Sequence, residues 1–155
     1  MLENNTIAPA FSLLDQDEQT HTLADYAGKW VLVYFYPKDD TPGCTAEACA
    51  IRDAYNDFEK QGIVVLGISK DSPKSHKKFA DKYELPFILL SDPSGGMISA
   101  YDSFKEKSMF GKTFMGINRG SYLINPDGII ARVYPKVDPA NHAGQILIDA
   151  EEMMK

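Results

Sequence analysis

The chain is poor in the residues that build several common kinds of site. It has two cysteines, three histidines and one tryptophan in 155 residues, and its acidic side chains outnumber the basic ones 22 to 16. Two cysteines do not make a disulfide scaffold of the secreted kind, and a close pair in a reducing compartment is more often catalytic or metal-binding. A zinc site takes about four ligands. His21, His76 and His142 show no ligand spacing to Cys44-x4-Cys49, so no metal is expected. The net charge of −6, with lysine and arginine scattered along the chain, offers no footprint for a phosphate backbone, and nucleic acid is not expected as a partner. No stretch approaches the eighteen or so apolar residues of a membrane span. Residues 1–11 also lack the basic and apolar regions of a secretory signal, so the expectation is a cytoplasmic protein with no membrane partner. Repeats, low-complexity segments and linkers are missing too.

What is present suffices for one domain over residues 1–155, with 44% hydrophobic side chains to fill a core. Residues 1–10 are polar and carry Pro9, which reads as a loose arm. Phe11 to Leu14 and His21 to Leu23 read as a small hairpin around Asp15–Gln19. Trp30 to Tyr36 (WVLVYFY) is a near-continuous β-branched and aromatic run, the mark of a central strand buried on both faces. A helix from about Thr41 to Lys60 ends at Gly62, and Ile63 to Ser69 is a second buried strand, so the three form a unit with parallel strands. Ser72-Pro73 opens another helix, which stops before Pro86. Ile88 to Leu90 is a strand, and Ser94 to Tyr101 a short helix. From Asp102 to Gly120 the pattern weakens into a glycine-punctuated loop. Ser121 to Ile124 and Ile129 to Tyr134 form a hairpin around Asn125–Gly128, and Pro139 to Met154 a closing helix. The order predicts an α/β fold, a central mixed β-sheet flanked by helices with an N-terminal β-hairpin.

The two cysteines both fall in Pro37–Cys49, where the central strand ends and the helix begins. Ligand chemistry in such sheets gathers beyond the carboxyl end of a central strand. A thiol in the first turn of a helix meets unpaired N–H groups and the positive end of the helix dipole, both of which favour thiolate. Residues five apart on one helix are rotated by about 140°, with Cα atoms roughly 8–9 Å apart. A disulfide needs about 7 Å or less, so the pair closes only if the first turns unwind. The spacing therefore reads as a switch, helical when reduced and unwound when oxidised; two small buried side chains without chemistry are the plainer alternative. Phase favours the switch. Cys44 falls on the apolar stripe with Ile51, Ala54, Tyr55 and Phe58, while Cys49 falls with Asp53, Asn56 and Lys60 on the wetter side.

The spacing Pro37-x3-Thr41-x2-Cys44, the context Thr-Pro-Gly-Cys-Thr-x-Glu-Ala-Cys and the later Arg119-Gly-Ser-Tyr-Leu-Ile-Asn-Pro-Asp-Gly resemble those of peroxiredoxins. Within them they are most similar to the bacterioferritin-comigratory-protein, or peroxiredoxin Q, group. The resemblance spans nearly the whole chain. It implies a thioredoxin-like fold and peroxidase activity on hydrogen peroxide and alkyl hydroperoxides. It also implies no metal or organic cofactor, and recycling by thioredoxin or a similar dithiol. On this pattern Cys44 is the peroxidatic nucleophile. Thr41 Oγ, the Gly43 and Cys44 N–H groups and the Arg119 guanidinium are donors facing sulfur and peroxide, Pro37 shields the sulfur, and Glu47 orients the arginine. A sulfenic acid at Cys44 would condense with Cys49 into an intramolecular disulfide in a monomer. Tyr36 and Phe114 are candidates to line the peroxide pocket. His76 reads as a solvated helix residue and His142 as a helix-start residue, while Asp39-Asp40 would add negative charge near the thiolate. Two rivals remain: a thiol-disulfide oxidoreductase on the same fold, which usually carries the Cys-x-x-Cys absent here, and a peroxide-sensing redox switch without fast turnover.

Overall fold

The structure, a computed structural model, describes residues 1–155. Seven strands form one sheet. They are β1 (Ser12–Asp15), β2 (Thr20–Thr22), β3 (Trp30–Phe35), β4 (Ile63–Ser69), β5 (Ile88–Ser91), β8 (Ser121–Ile124) and β9 (Ile130–Tyr134), in the order β2-β1-β5-β4-β3-β8-β9. The β3–β4 and β4–β5 pairs are parallel, and the remaining pairs are antiparallel. The sheet is covered on both faces, as the unbroken apolar run of β3 requires. Leu32, Tyr34 and Tyr36 point into one core, beneath helices α1 (Pro42–Asp53), α2 (Tyr55–Lys60), α3 (Pro73–Tyr83) and α5 (His142–Met153). Val31, Val33 and Phe35 point into the other, with helix α4 (Gly96–Ala100).

Three expectations change. The stretch expected as a loop from Asp102 to Gly120 contains an antiparallel arm, β6 (Phe104–Met109) and β7 (Lys112–Ile117), which pair with each other and not with the main sheet. Its turn, Phe110-Gly111, has both residues at positive φ, 54° and 77°. That is the geometry of a two-residue hairpin turn, hidden in the sequence because phenylalanine stands where asparagine or aspartate usually signals it. The expected single helix over 41–60 is two. Ala54 leaves helical geometry at φ −97°, ψ 5° with no proline or glycine beside it, so the apolar periodicity reads straight through the break. The N-terminal arm is not loose. Ala8 and Phe11 are buried, Ile7 bridges to Ile129, and the terminal ammonium lies 2.9 Å from Asp102 Oδ2.

The topology prepares one place. Strand β3 ends and releases the chain into 37–41, and β8 begins beside that end in antiparallel register, Tyr34 opposite Ser121 and the Phe35 N–H bonded to the Gly120 carbonyl at 3.0 Å. The segment just before β8, Arg119-Gly120, is therefore delivered to the start of the helix that follows β3.

Candidate active site

Thr41 is the N-cap of α1, in extended geometry at φ −103°, ψ 156°, followed by Pro42 in the first turn. Proline suits that position because its missing N–H would go unpaired there anyway. Thr41 does not cap the helix with its side chain; its hydroxyl donates to the Lys38 carbonyl at 2.8 Å. The first-turn N–H groups of Gly43 and Cys44 thus carry no side-chain acceptor and remain free for an anion.

Cys44 is buried in the third helical position, and Arg119 reaches it from the far side of the sequence. Arg119 Nη2 donates to Cys44 Sγ at 3.1 Å and Nη1 donates to Glu47 Oε1 at 2.9 Å, so one guanidinium spans both groups. Gly43 makes the approach possible, for a Cβ there would stand 3.2 Å from Arg119 Nη2. Glu47, one helical turn beyond Cys44, has no exposed surface, and its Oε2 has no hydrogen-bond partner. Burial pushes its carboxyl up to about 7, against the opposing pull of Arg119. Beneath them the Tyr34 hydroxyl is likewise buried and unpartnered. Cys49 is free and half-buried, and α1 is unbroken between the two cysteines.

The loop leading to the helix is held by a network that the sequence did not disclose. Asp39 accepts the Tyr36 hydroxyl at 2.6 Å and the Ser75 hydroxyl at 2.8 Å, and it lies 2.7 Å from His76 Nδ1. Its N–H donates to Asp71 Oδ2 at 2.9 Å, and His76 Nε2 donates to the Leu90 carbonyl at 3.0 Å. His76 is therefore fully buried and not the solvated helix residue expected. Its partners lie 37 and 14 residues away in sequence, a separation no local signal spans. Asp40 adopts φ 56° and is met by Lys82 Nζ and the Tyr83 hydroxyl, both at 2.7 Å, so the expected Asp39-Asp40 charge is taken up by partners rather than turned on the sulfur. Lys82 and Tyr83 hold the Asp40 carboxyl below its usual range.

The remaining candidates divide. The Tyr36 side chain is buried with its hydroxyl turned to Asp39, and Phe114 stands half exposed on β7. Pro37 is exposed where β3 ends. His142 begins α5 but is buried, its Nε2 2.8 Å from Ser121 Oγ, and burial pulls it down to about 4. Asp39, Asp71 and His76 bring ligand atoms within 4.8 Å of one another, but those atoms already serve the hydrogen bonds just described.

A thiol at a helix start, gripped by a guanidinium at the carboxyl end of a central strand and paired with a second thiol on the same helix, defines a class: thiol peroxidases. Comparison with known proteins narrows it. The AhpC/TSA family matches residues 5–133. The chain is 47% identical to a putative peroxiredoxin bcp of Coxiella burnetii over 90% of its length and 93% of the relative's. It is 46% identical to peroxiredoxin Bcp of Escherichia coli K12 over 94% of both. Among solved structures, peroxiredoxin Q of Xanthomonas campestris superposes with a TM-score of 0.90 at 39% identity, covering 94% of this chain and 92% of that one. The same species' bacterioferritin comigratory protein, described for its alkyl peroxide reduction activity, superposes equally well at 38% identity over the same shares of the two chains. The chain belongs to the AhpC/TSA family, and within it to the Bcp, or peroxiredoxin Q, peroxiredoxins. The fold is thioredoxin-like, and the protein is a peroxiredoxin enzyme.

Proposed function

We propose that the protein reduces hydrogen peroxide and alkyl hydroperoxides by a two-cysteine cycle within one chain, acting as a monomer and as one domain over residues 1–155. The observation that carries the reading is the Arg119 Nη2 to Cys44 Sγ contact of 3.1 Å at the first turn of α1. A free thiol is only about 3% ionised at pH 7, and the thiolate is the nucleophile. A fixed cation and two unpaired N–H groups favour the charged sulfur before substrate arrives. The thiolate attacks the terminal peroxide oxygen; the S–O bond forms as the O–O bond breaks, and the departing alkoxide takes a proton from water. The Arg119 guanidinium and the Gly43 and Cys44 N–H groups stabilise the charge that moves along this line. Since the Thr41 hydrogen points to Lys38, its oxygen accepts from the O–H of the bound peroxide. Glu47 holds the guanidinium in place, and Pro37 borders the entrance.

The Cys44 sulfenic acid then condenses with the Cys49 thiol, giving a disulfide and water. A dithiol such as thioredoxin restores both thiols by exchange, which suits a reducing compartment such as the cytoplasm. Stopped-flow peroxide reduction by wild type, Cys44→Ser and Arg119→Ala tests the first half: loss of all reaction without Cys44 and a fall of about 10²–10³-fold without Arg119 are expected. Mass spectrometry after one equivalent of peroxide tests the second. A Cys44–Cys49 link is expected, and a Cys44–Cys44 link between chains as the main product contradicts the cycle.

A further inference from the structure

The β6–β7 arm has no part in the proposed chemistry, yet it concentrates the exposed apolar surface of the molecule. Met109 is 58% exposed, Phe110 96%, Phe114 45% and Met115 62%. The register sorts its side chains. Directly paired residues share a face, so the pairs Lys105 with Gly116, Lys107 with Phe114 and Met109 with Lys112 put three lysines, a methionine and a phenylalanine together. The opposite face carries Glu106 and Met115, and its Phe104 and Ile117 pack into the core. Phe110 projects from the turn between them. Residues 104–117 carry a net +2 in a chain of net −6, which leaves the rest at −8.

We propose that the lysine-bearing face of this arm docks on an anionic phospholipid surface, with Phe110, Met109 and Phe114 entering the apolar boundary and Lys105 and Lys112 meeting the headgroup phosphates, while Lys107 is held on the arm by its 2.8 Å hydrogen bond to the Ile117 carbonyl. The charge pattern selects the partner. The rest of the chain is acidic overall, and the other lysine-rich element, α3 with Lys74, Lys77, Lys78 and Lys82, carries no exposed large apolar side chain, so it is the arm that joins basic charge to exposed apolar surface. Two copies joined face to face would oppose lysine to lysine, which disfavours self-association. Size argues against a protein. Six residues per strand give a ribbon roughly 20 Å long and about 10 Å wide, or about 200 Å², where a stable complex buries about 800 Å² per partner. A projecting phenylalanine with basic flanks is what a bilayer boundary accepts. Strand β7 runs directly into Asn118 and Arg119, so the docking arm and the cation on the sulfur belong to one segment. No helix of the chain is long and apolar enough to cross a membrane, and a surface contact needs none.

The test is co-sedimentation of the reduced, full-length protein with phosphatidylcholine vesicles with and without phosphatidylglycerol, at low and high ionic strength. Binding is expected only to the anionic vesicles and only at low salt. Phe110→Ser is expected to weaken it about tenfold or more, and Lys105→Glu with Lys112→Glu to abolish it, while both variants keep wild-type hydrogen peroxide turnover as a check on folding. Failure to sediment with anionic vesicles at low salt overturns the proposal, as does undiminished binding of Phe110→Ser. Retention on immobilised polyglutamate without vesicle binding overturns it in favour of an acidic protein partner.

Discussion

Gly43 decides how near a charge can come to the sulfur. Arg119 Nη2 rests 3.2 Å from where a Cβ would stand, so Gly43→Ala must push it away by a few tenths of an ångström. Alanine favours a helix over glycine by up to about 1 kcal/mol. The variant should therefore be no less stable to urea while its second-order rate constant with peroxide falls, by roughly tenfold against the 10²–10³ for losing the donor outright. Stopped-flow rates set beside urea midpoints separate the two, and an unchanged rate would show that the close contact is not needed. Cys44, Cys49 and Thr41 stand out in the sequence because one short segment holds those side chains at the spacing the chemistry uses, and Arg119 stands out only through the resemblance to peroxiredoxins. Asp39 and His76 do not, since each is defined by partners from other elements.

Helix α1 is anchored unevenly along its length. Its first two turns bury Cys44, Glu47 and Ala48, which offer little apolar surface, whereas Ile51 sits deep in the core beside Phe58 of α2. Arg52 Nη1 also ties the far end to the Tyr83 carbonyl at 2.8 Å. Unwinding residues 42–50 therefore forfeits far less burial than unwinding the whole helix. In the disulfide form, amide hydrogen exchange should speed up over residues 43–50 and stay slow over α2; equal protection in both redox states would exclude the switch. Cys49→Ser should still show one fast turnover but no recycling by a dithiol, and wild-type steady-state rates in it would remove Cys49 as the resolving thiol. The break at Ala54, which periodicity could not reveal, leaves α2 as a separate helix beyond the anchored end of α1.

At the scale of the molecule, two buried groups set opposing pH dependences. Glu47 is raised to about 7 in the fold from an ordinary 4.5, so the folded chain holds a proton the unfolded one lacks between those values, and stability falls as pH rises through that window. His142 is lowered to about 4 from 6.5, so the unfolded chain gains a proton the folded one refuses, and stability falls as pH drops from 6.5 toward 4. Each is worth roughly 3 kcal/mol at full span, and in wild type they largely cancel. Urea midpoints of Glu47→Gln should thus drop more steeply on acidification than those of wild type, and those of His142→Gln should rise; parallel curves for all three would refute both assignments. Strand and helix alternation, the buried central strand and the reactive thiol at a helix start were determined by the amino-acid sequence itself, because each follows from local periodicity, capping and the chemistry of one short segment. The tertiary structure alone decided that Arg119 meets a sulfur 75 residues away, that Glu47 loses its water, that His76 is buried under the loop and that 104–117 stands out as an arm. Those outcomes depend on strand order and burial, and a contact between distant residues has no local signature for a sequence to display.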